Sequence, residues 1–134
     1  MNSCRPIIRS ACRLALSVAP LIFASGHVVA GGVVEITWDT SGHFNQSLTV
    51  VPGKVVEVCG KLPAAQKVQW KFEADAPLKF NVHYHMGEDV VFPSKLESVT
   101  SAHGELETKS EQSYCWMWSN SSKKAVNVAL HLVR

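Results

Sequence analysis

KVQWKFE, residues 67–73, decides the fold. Val68, Trp70 and Phe72 occupy every second position, with Lys67, Gln69, Lys71 and Glu73 between them. A strand sends successive side chains to opposite faces, whereas a helix would scatter these three apolar groups around its axis. The stretch therefore reads as a half-buried strand. KFNVHYH at 79–85 repeats the pattern with Phe80, Val82 and Tyr84, and Ser113–Trp118 repeats it with Tyr114, Trp116 and Trp118. Ala125–Val133 places Val126, Val128, Leu130 and Leu132 on one face. Val33–Trp38, Ser47–Val51, Lys54–Cys59 and Asp89–Phe92 are shorter candidates, and Glu105–Lys109 is a weaker one.

Turn chemistry separates these runs: Val51-Pro52-Gly53-Lys54, Gly60-Lys61-Leu62-Pro63, Ala76-Pro77, Met86-Gly87-Glu88-Asp89 and His103-Gly104. No longer window carries a helical stripe. Roughly seven to nine short strands, each with one apolar face, make an all-β antiparallel β-sandwich. The 134 residues are one domain's worth of chain, and hydrophobic residues at 46 % against charged residues at 18 % exclude a disordered tail or a rod.

The first thirty residues read as an address. Met1–Arg13 is basic, with Arg5, Arg9 and Arg13 and no acid, and Leu14–Ala24 (LALSVAPLIFA) is apolar apart from Ser17 and Pro20. That run has the length of a signal-peptide core and is too short to span a bilayer, which takes about 20 residues. Val28-Val29-Ala30 before Gly31 fits a small-residue cleavage site, and Gly26 is the second choice. A retained anchor is the competing reading, but no second long apolar segment accompanies it. Neither Cys4 nor Cys12 stands at the end of the apolar run, so a lipoprotein signal is not present. The expectation is a cleavable leader over 1–30 and a single extracytoplasmic domain over 31–134, with no membrane span after cleavage. Without the leader's three arginines, ten Lys/Arg face eleven Asp/Glu, a balance of −1. That is no footprint for nucleic acid.

Cleavage also changes the cysteine arithmetic. Cys59 and Cys115 remain, in a compartment that favours oxidation. They allow one intramolecular bridge; two free thiols serving a metal are the alternative.

Tyr114-Cys115-Trp116-Met117-Trp118-Ser119-Asn120, a polar Ser/Lys stretch, and then Ala125–Val133 resemble the closing hairpin of the GOLD domain, the β-sandwich of secretory-pathway cargo receptors. Upstream, Lys67–Glu73, the polar Ala74-Asp75-Ala76 and Phe80–His85 resemble the family's aromatic strand, turn and following strand, so that the resemblance spans roughly residues 51–133. It implies a jelly-roll or GOLD-like topology and a binding or interaction module in place of an enzyme. Cys59 falls where the family has the first cysteine of its lumenal disulfide. The second family cysteine superposes on Met117, whereas this chain has Cys115 two residues earlier on the same strand face. The cargo receptors' coiled coil, membrane helix and cytosolic tail have no counterpart in the sequence, so receptor cycling does not carry over.

The sharpest chemical signal is His83-Tyr84-His85-Met86 with Cys115-Trp116-Met117. Residues i and i+2 of a strand project together about 6.5–7 Å apart. His83 and His85 thus share a face opposite Phe80, Val82 and Tyr84, and Cys115 shares one with Met117. His131 lies on the polar face of the last strand. Imidazole with soft sulfur selects copper, so His83, His85 and Met117, with Met86, His131 or Cys115 as additions, form a candidate copper set. No downstream His and Met follow Cys115 on one loop, as a blue-copper site requires, and no paired cysteines make a zinc finger. No Gly-x-Ser-x-Gly elbow points to a hydrolase. Trp70, Trp116 and Trp118 fall on apolar phases and read as core, which leaves Trp38 as the tryptophan freest to face a ligand. Asn45-Gln46-Ser47 and Asn120-Ser121-Ser122 match the glycosylation sequon. The lead reading is a non-enzymatic module that binds an extracytoplasmic protein or ligand; the alternative is a copper-binding protein.

Overall fold

The computed structural model describes residues 32–134, and the expected leader over 1–30 lies outside the described residues. Seven strands follow one another: β1 (Gly32–Glu35), β2 (His43–Val50), β3 (Val55–Leu62), β4 (Lys67–Met86), β5 (Asp89–Glu107), β6 (Gln112–Ser119) and β7 (Val126–Val133). The two patterned runs 67–73 and 79–85 are a single strand, β4, which passes without a turn through Ala76-Pro77. Likewise the runs 89–92 and 105–109 merge into β5, and His103-Gly104 lies inside that strand.

One long hairpin of β4 and β5 therefore serves two half-sheets. On one edge of β4, residues Gln69–Ala74 pair with β7 and residues Lys79–Tyr84 pair with β6. β7 carries β2 beyond it, while β6 carries β3 and then β1. The result is a curled sheet folded into a sandwich, antiparallel throughout except where β1 lies parallel to β3. Pro77 sits in the gap between the β7 and β6 ladders, where its missing N–H costs no bond. Pro93 falls in the register shift between the Val82/Ser94 and Tyr84/Val91 pairs. Ser98, at φ 54°, occupies another shift, between the Leu78/Val99 and Phe80/Leu96 pairs, so at both places β5 carries one residue more than β4.

The alternation seen in sequence is what fills the interior. Val68, Trp70, Phe72, Phe80, Val82 and Tyr84 of β4 are buried against Val56 and Val58 of β3 and Leu130 and Leu132 of β7. Phe72 and Phe80 stack at 4.6 Å between ring centres, and each meets the Trp118 ring, at 5.5 and 5.4 Å. Ala74 and Ala76 keep the inward phase through the bend. The Trp116 and Trp118 indole N–H groups are buried with no acceptor among the described residues. Leaving an N–H unpaired costs about 1–3 kcal/mol, whereas burying roughly 200 Å² of indole contributes about 5 kcal/mol, so packing prevails.

Polar side chains close the ends. The Tyr114 hydroxyl donates to the Ser110 carbonyl and accepts from the Lys109 amide, each at 3.1 Å. Thr108, buried, donates to the Pro63 carbonyl at 2.6 Å and accepts from the Gln66 amide at 2.8 Å, so the β3–β4 turn is tied to the end of β5. Asn120, also buried, donates to the carbonyls of Val50 and Lys124 and accepts from Ser122 N–H. The sequon at Asn120 is consequently a structural cap whose amide faces inward. Among the described residues no helix is long and apolar enough to cross a membrane.

Candidate functional site

The outward face of β3, β6 and β4 gathers the chemistry. Register aligns Cys59, Cys115 and His83 in one row and Glu57, Met117 and Asn81 in the next. The Cys59 carbonyl accepts from Ile36 N–H at 2.8 Å, so its backbone groups point to β1 and away from β6. Cys59 and Cys115 are then a non-hydrogen-bonded pair, the closer of the two antiparallel pairings, with Cα atoms 4.1 Å apart. They form a disulfide. Of the two readings open for the cysteines, the bridge is the one the structure has.

His83 is 5 % exposed although it points away from the core. Cys115 covers it on one side and the Phe92 ring, 6.0 Å from its own, on the other. Its Nδ1 lies 2.8 Å from Asn81 Oδ1, an acceptor, so Nδ1 donates and Nε2 keeps its lone pair. Burial holds the imidazole below its ordinary pKa; the Glu57 carboxylate opposes that shift and His85 adds to it. The rings of His83 and His85 meet edge to face at 5.5 Å, and His85 is exposed. Ligand atoms of Glu57, His83 and Cys115 lie within 4.8 Å of one another. With the bridge closed, Cys115 has no thiolate to contribute.

Beyond this row the β4–β5 hairpin ends in a two-residue turn. Gly87, at φ 63°, takes the first central position, as a type II′ hairpin requires. The turn sets Met86 opposite Asp89, His85 opposite Val90 and Tyr84 opposite Val91. Met86, Val90 and Phe92 are exposed to 58, 41 and 45 %, and the Lys95 ammonium stands 5.4 Å over the Phe92 ring.

The structure thus brings His83 and His85 together, with Met117 half-buried in the row beside Cys115 and His83. It does not bring His131 to them. His131 pairs with Lys71 on the other half-sheet, its Nδ1 hydrogen-bonds Asn45 Oδ1, and its ring meets His43 at 5.6 Å. Asn45, Lys71 and His131 border a shallow cleft of about 350 Å³. Met86 belongs to the hairpin end. Trp38 is half-buried against the core, with the Arg134 guanidinium 4.9 Å over its ring. Sequence reading missed Glu57, Asn81 and Phe92. The turn signature Met86-Gly87-Glu88-Asp89 holds the clue to Phe92, because a two-residue loop fixes the hairpin register and sends Phe92 back beside His83.

No family model and no curated protein matches the chain. Among solved structures it is similar to PliG of Aeromonas hydrophila, a periplasmic inhibitor of g-type lysozyme, with TM-score 0.58 and 11 % identity over 80 % of this chain and 98 % of that one. It is also similar to the pre-peptidase C-terminal domain of a Bacillus anthracis collagenase, with TM-score 0.57 and 8 % identity over 78 % and 97 %. A third likeness is to PliG of Salmonella Typhimurium, with TM-score 0.51 and 10 % identity over 78 % and 98 %. These likenesses are of fold, and all three are small β domains of sandwich type.

Proposed function

We propose that this chain is an extracytoplasmic, non-enzymatic binding module that engages a protein through the end of its β4–β5 hairpin. One observation carries the reading. Five large hydrophobic side chains are exposed among the described residues, and three of them lie on this hairpin, Val90 and Phe92 together on the face of His83 and His85 and Met86 at the tip on the opposite face. Adjacent exposed apolar side chains are the usual mark of a contact surface, and aromatic side chains are favoured at its centre. The leader over 1–30 and the Cys59–Cys115 bridge support an oxidising compartment. The likeness to PliG, a sandwich whose partner is a protein, supports the class of ligand. The resemblance of Tyr114–Asn120 and Ala125–Val133 to the GOLD domain supports a binding role and rests on sequence motif alone.

The test is photo-crosslinking in the secreting cell, with benzoylphenylalanine at position 92 and, as controls, at positions 55 and 107. The expected result is one discrete adduct from position 92 and none from the controls. Adducts from the controls with none from position 92 would overturn the assignment.

The paired imidazoles favour a second reading, in which His83, His85 and the Met117 thioether hold a copper ion. The double substitution His83→Ala/His85→Ala then abolishes copper uptake while the fold survives. Unchanged copper stoichiometry in that variant would eliminate these ligands.

A further inference from the structure

We infer that the Cys59–Cys115 bridge masks a zinc site, and that reduction converts this row of the sheet into a Cys₂HisGlu centre made of Cys59, Cys115, His83 and Glu57. The inference does not depend on the protein-binding reading, and its ligand set shares only His83 with the copper set of His83, His85 and Met117. Three of the four donors, Glu57, His83 and Cys115, already have ligand atoms within 4.8 Å of one another. The fourth, Cys59 Sγ, is bonded to Cys115 and lies 3.8 Å from Glu57 Oε2. Tetrahedral zinc with Zn–S of about 2.3 Å and Zn–N and Zn–O of about 2.1 Å has ligand-to-ligand edges of about 3.4–3.8 Å. The carboxylate and imidazole therefore close in by about 1 Å, while the two sulfurs separate from bonded contact to such an edge. Side-chain rotation on three adjacent strands supplies movements of that size.

The surroundings suit a metal. Asn81 holds His83 through Nδ1 and leaves Nε2 as the donor atom, the arrangement that outer partners impose on ligating histidines. Two thiolates, one imidazole and one carboxylate are a donor set for Zn²⁺; the carboxylate disfavours Cu(I). The site is also reachable, since Cys59 is half-buried on a solvent-facing strand surface while Cys115 lies behind it.

The conversion balances with a dithiol reductant. One reductant thiolate attacks Cys59 Sγ, the Cys59–Cys115 bond breaks, and Cys115 leaves as a thiolate beside His83. The reductant's second thiolate attacks the mixed disulfide, frees the Cys59 thiolate and departs as a cyclic disulfide. Two electrons have passed to the protein, and the two protons of the dithiol are released when Zn²⁺ takes both thiolates. Bridge and metal are then mutually exclusive states of the same two sulfurs.

The experiment is zinc titration of the folded chain over 31–134, oxidised and after reduction by a water-soluble phosphine, followed by calorimetry and native mass spectrometry. The expected result is one zinc per reduced chain and none per oxidised chain. Cobalt(II) in place of zinc should give a thiolate-to-metal charge-transfer band and tetrahedral absorption. His83→Gln and Glu57→Gln should each lower the affinity about tenfold or more, and His85→Ala should leave it unchanged. Cys59→Ser, which cannot form the bridge, should bind zinc weakly without any reductant. The inference fails if the reduced chain takes up no zinc, if the oxidised chain binds it equally, or if His83→Gln and Glu57→Gln bind like wild type. It also fails if reduction abolishes the near-UV circular dichroism and zinc does not restore it, or if Cys59→Ser binds none.

Discussion

His83 illustrates how a residue's surroundings set its chemistry. Its pKa is lowered chiefly by burial, so its neutral form is favoured in the folded chain relative to the unfolded one. The unfolded chain then takes up more protons as pH falls from about 6.5 toward the depressed value, and stability falls with it. With the bridge intact and a chelator present, the denaturation midpoint should be constant above that window and decline on acidification through it. The groups facing His83 are Glu57, which opposes the shift, and His85, which reinforces it; His83→Gln should flatten the profile. Gly104 gives a second prediction. A Cβ there would stand 2.7 Å from Trp70 Cζ2, inside contact distance and against a ring fixed in the core. Gly104→Ala should cost about 1–3 kcal/mol, read as a lower urea midpoint at unchanged slope. At this scale the sequence yields the pairing of His83 with His85, because i and i+2 on a strand project together. It conceals the burial of His83, because the cover comes from Phe92 and Cys115 on other strands.

Among the elements, β4 and β5 depart furthest from the sequence reading. The phase of each patterned run is legible residue by residue, but Ala74-Asp75-Ala76-Pro77 and His103-Gly104 carry every local mark of a turn. The first remains strand because Pro77 lies between the β7 and β6 ladders and has no partner to disappoint, whereas His103-Gly104 stays in the β4–β5 ladder opposite Lys71 and Trp70, where Gly104 gives room to the Trp70 ring. Asp75 marks the handover by accepting from the Asn127 backbone and side chain, each at 2.9 Å. The β6–β7 loop is held by Asn120, whose amide fastens it to β2 through the Val50 carbonyl. Asn120→Ala would remove this buried bond together with those to Lys124 and Ser122 and should cost about 1–3 kcal/mol in equilibrium unfolding. Val90→Asp alters an exposed hairpin side chain and should shift stability by no more than about 0.5 kcal/mol, whereas Phe92→Asp also uncovers His83 and should cost about 1 kcal/mol. With benzoylphenylalanine placed at position 86 of the same hairpin, the partner adduct should form in the otherwise native chain and be lost when Val90→Asp and Phe92→Asp are combined.

For the whole molecule, the bridge closes a loop of 56 residues and joins two strands that already pair. The chain-entropy estimate for such a loop is about 4 kcal/mol, and Cys59→Ala with Cys115→Ala should lower stability by up to about that amount while the sheet register survives. Amide exchange in β3 and β6 would report register and stability together. The sandwich class is legible from strand phase, since each run buries one face. Strand order, and the parallel placement of β1, carry no local signal, because they are decided between segments far apart in sequence. The continuous β4–β5 ribbon has a bearing on how such a chain can change over generations. A single residue inserted in either strand would swap inward for outward faces beyond it, unless a bulge took it up as β5 does at Ser98 and near Pro93. Away from such bulges the ribbon lengthens by even steps matched across its two strands, so the hairpin tip is free to extend and diversify while the phase that fills the core is kept.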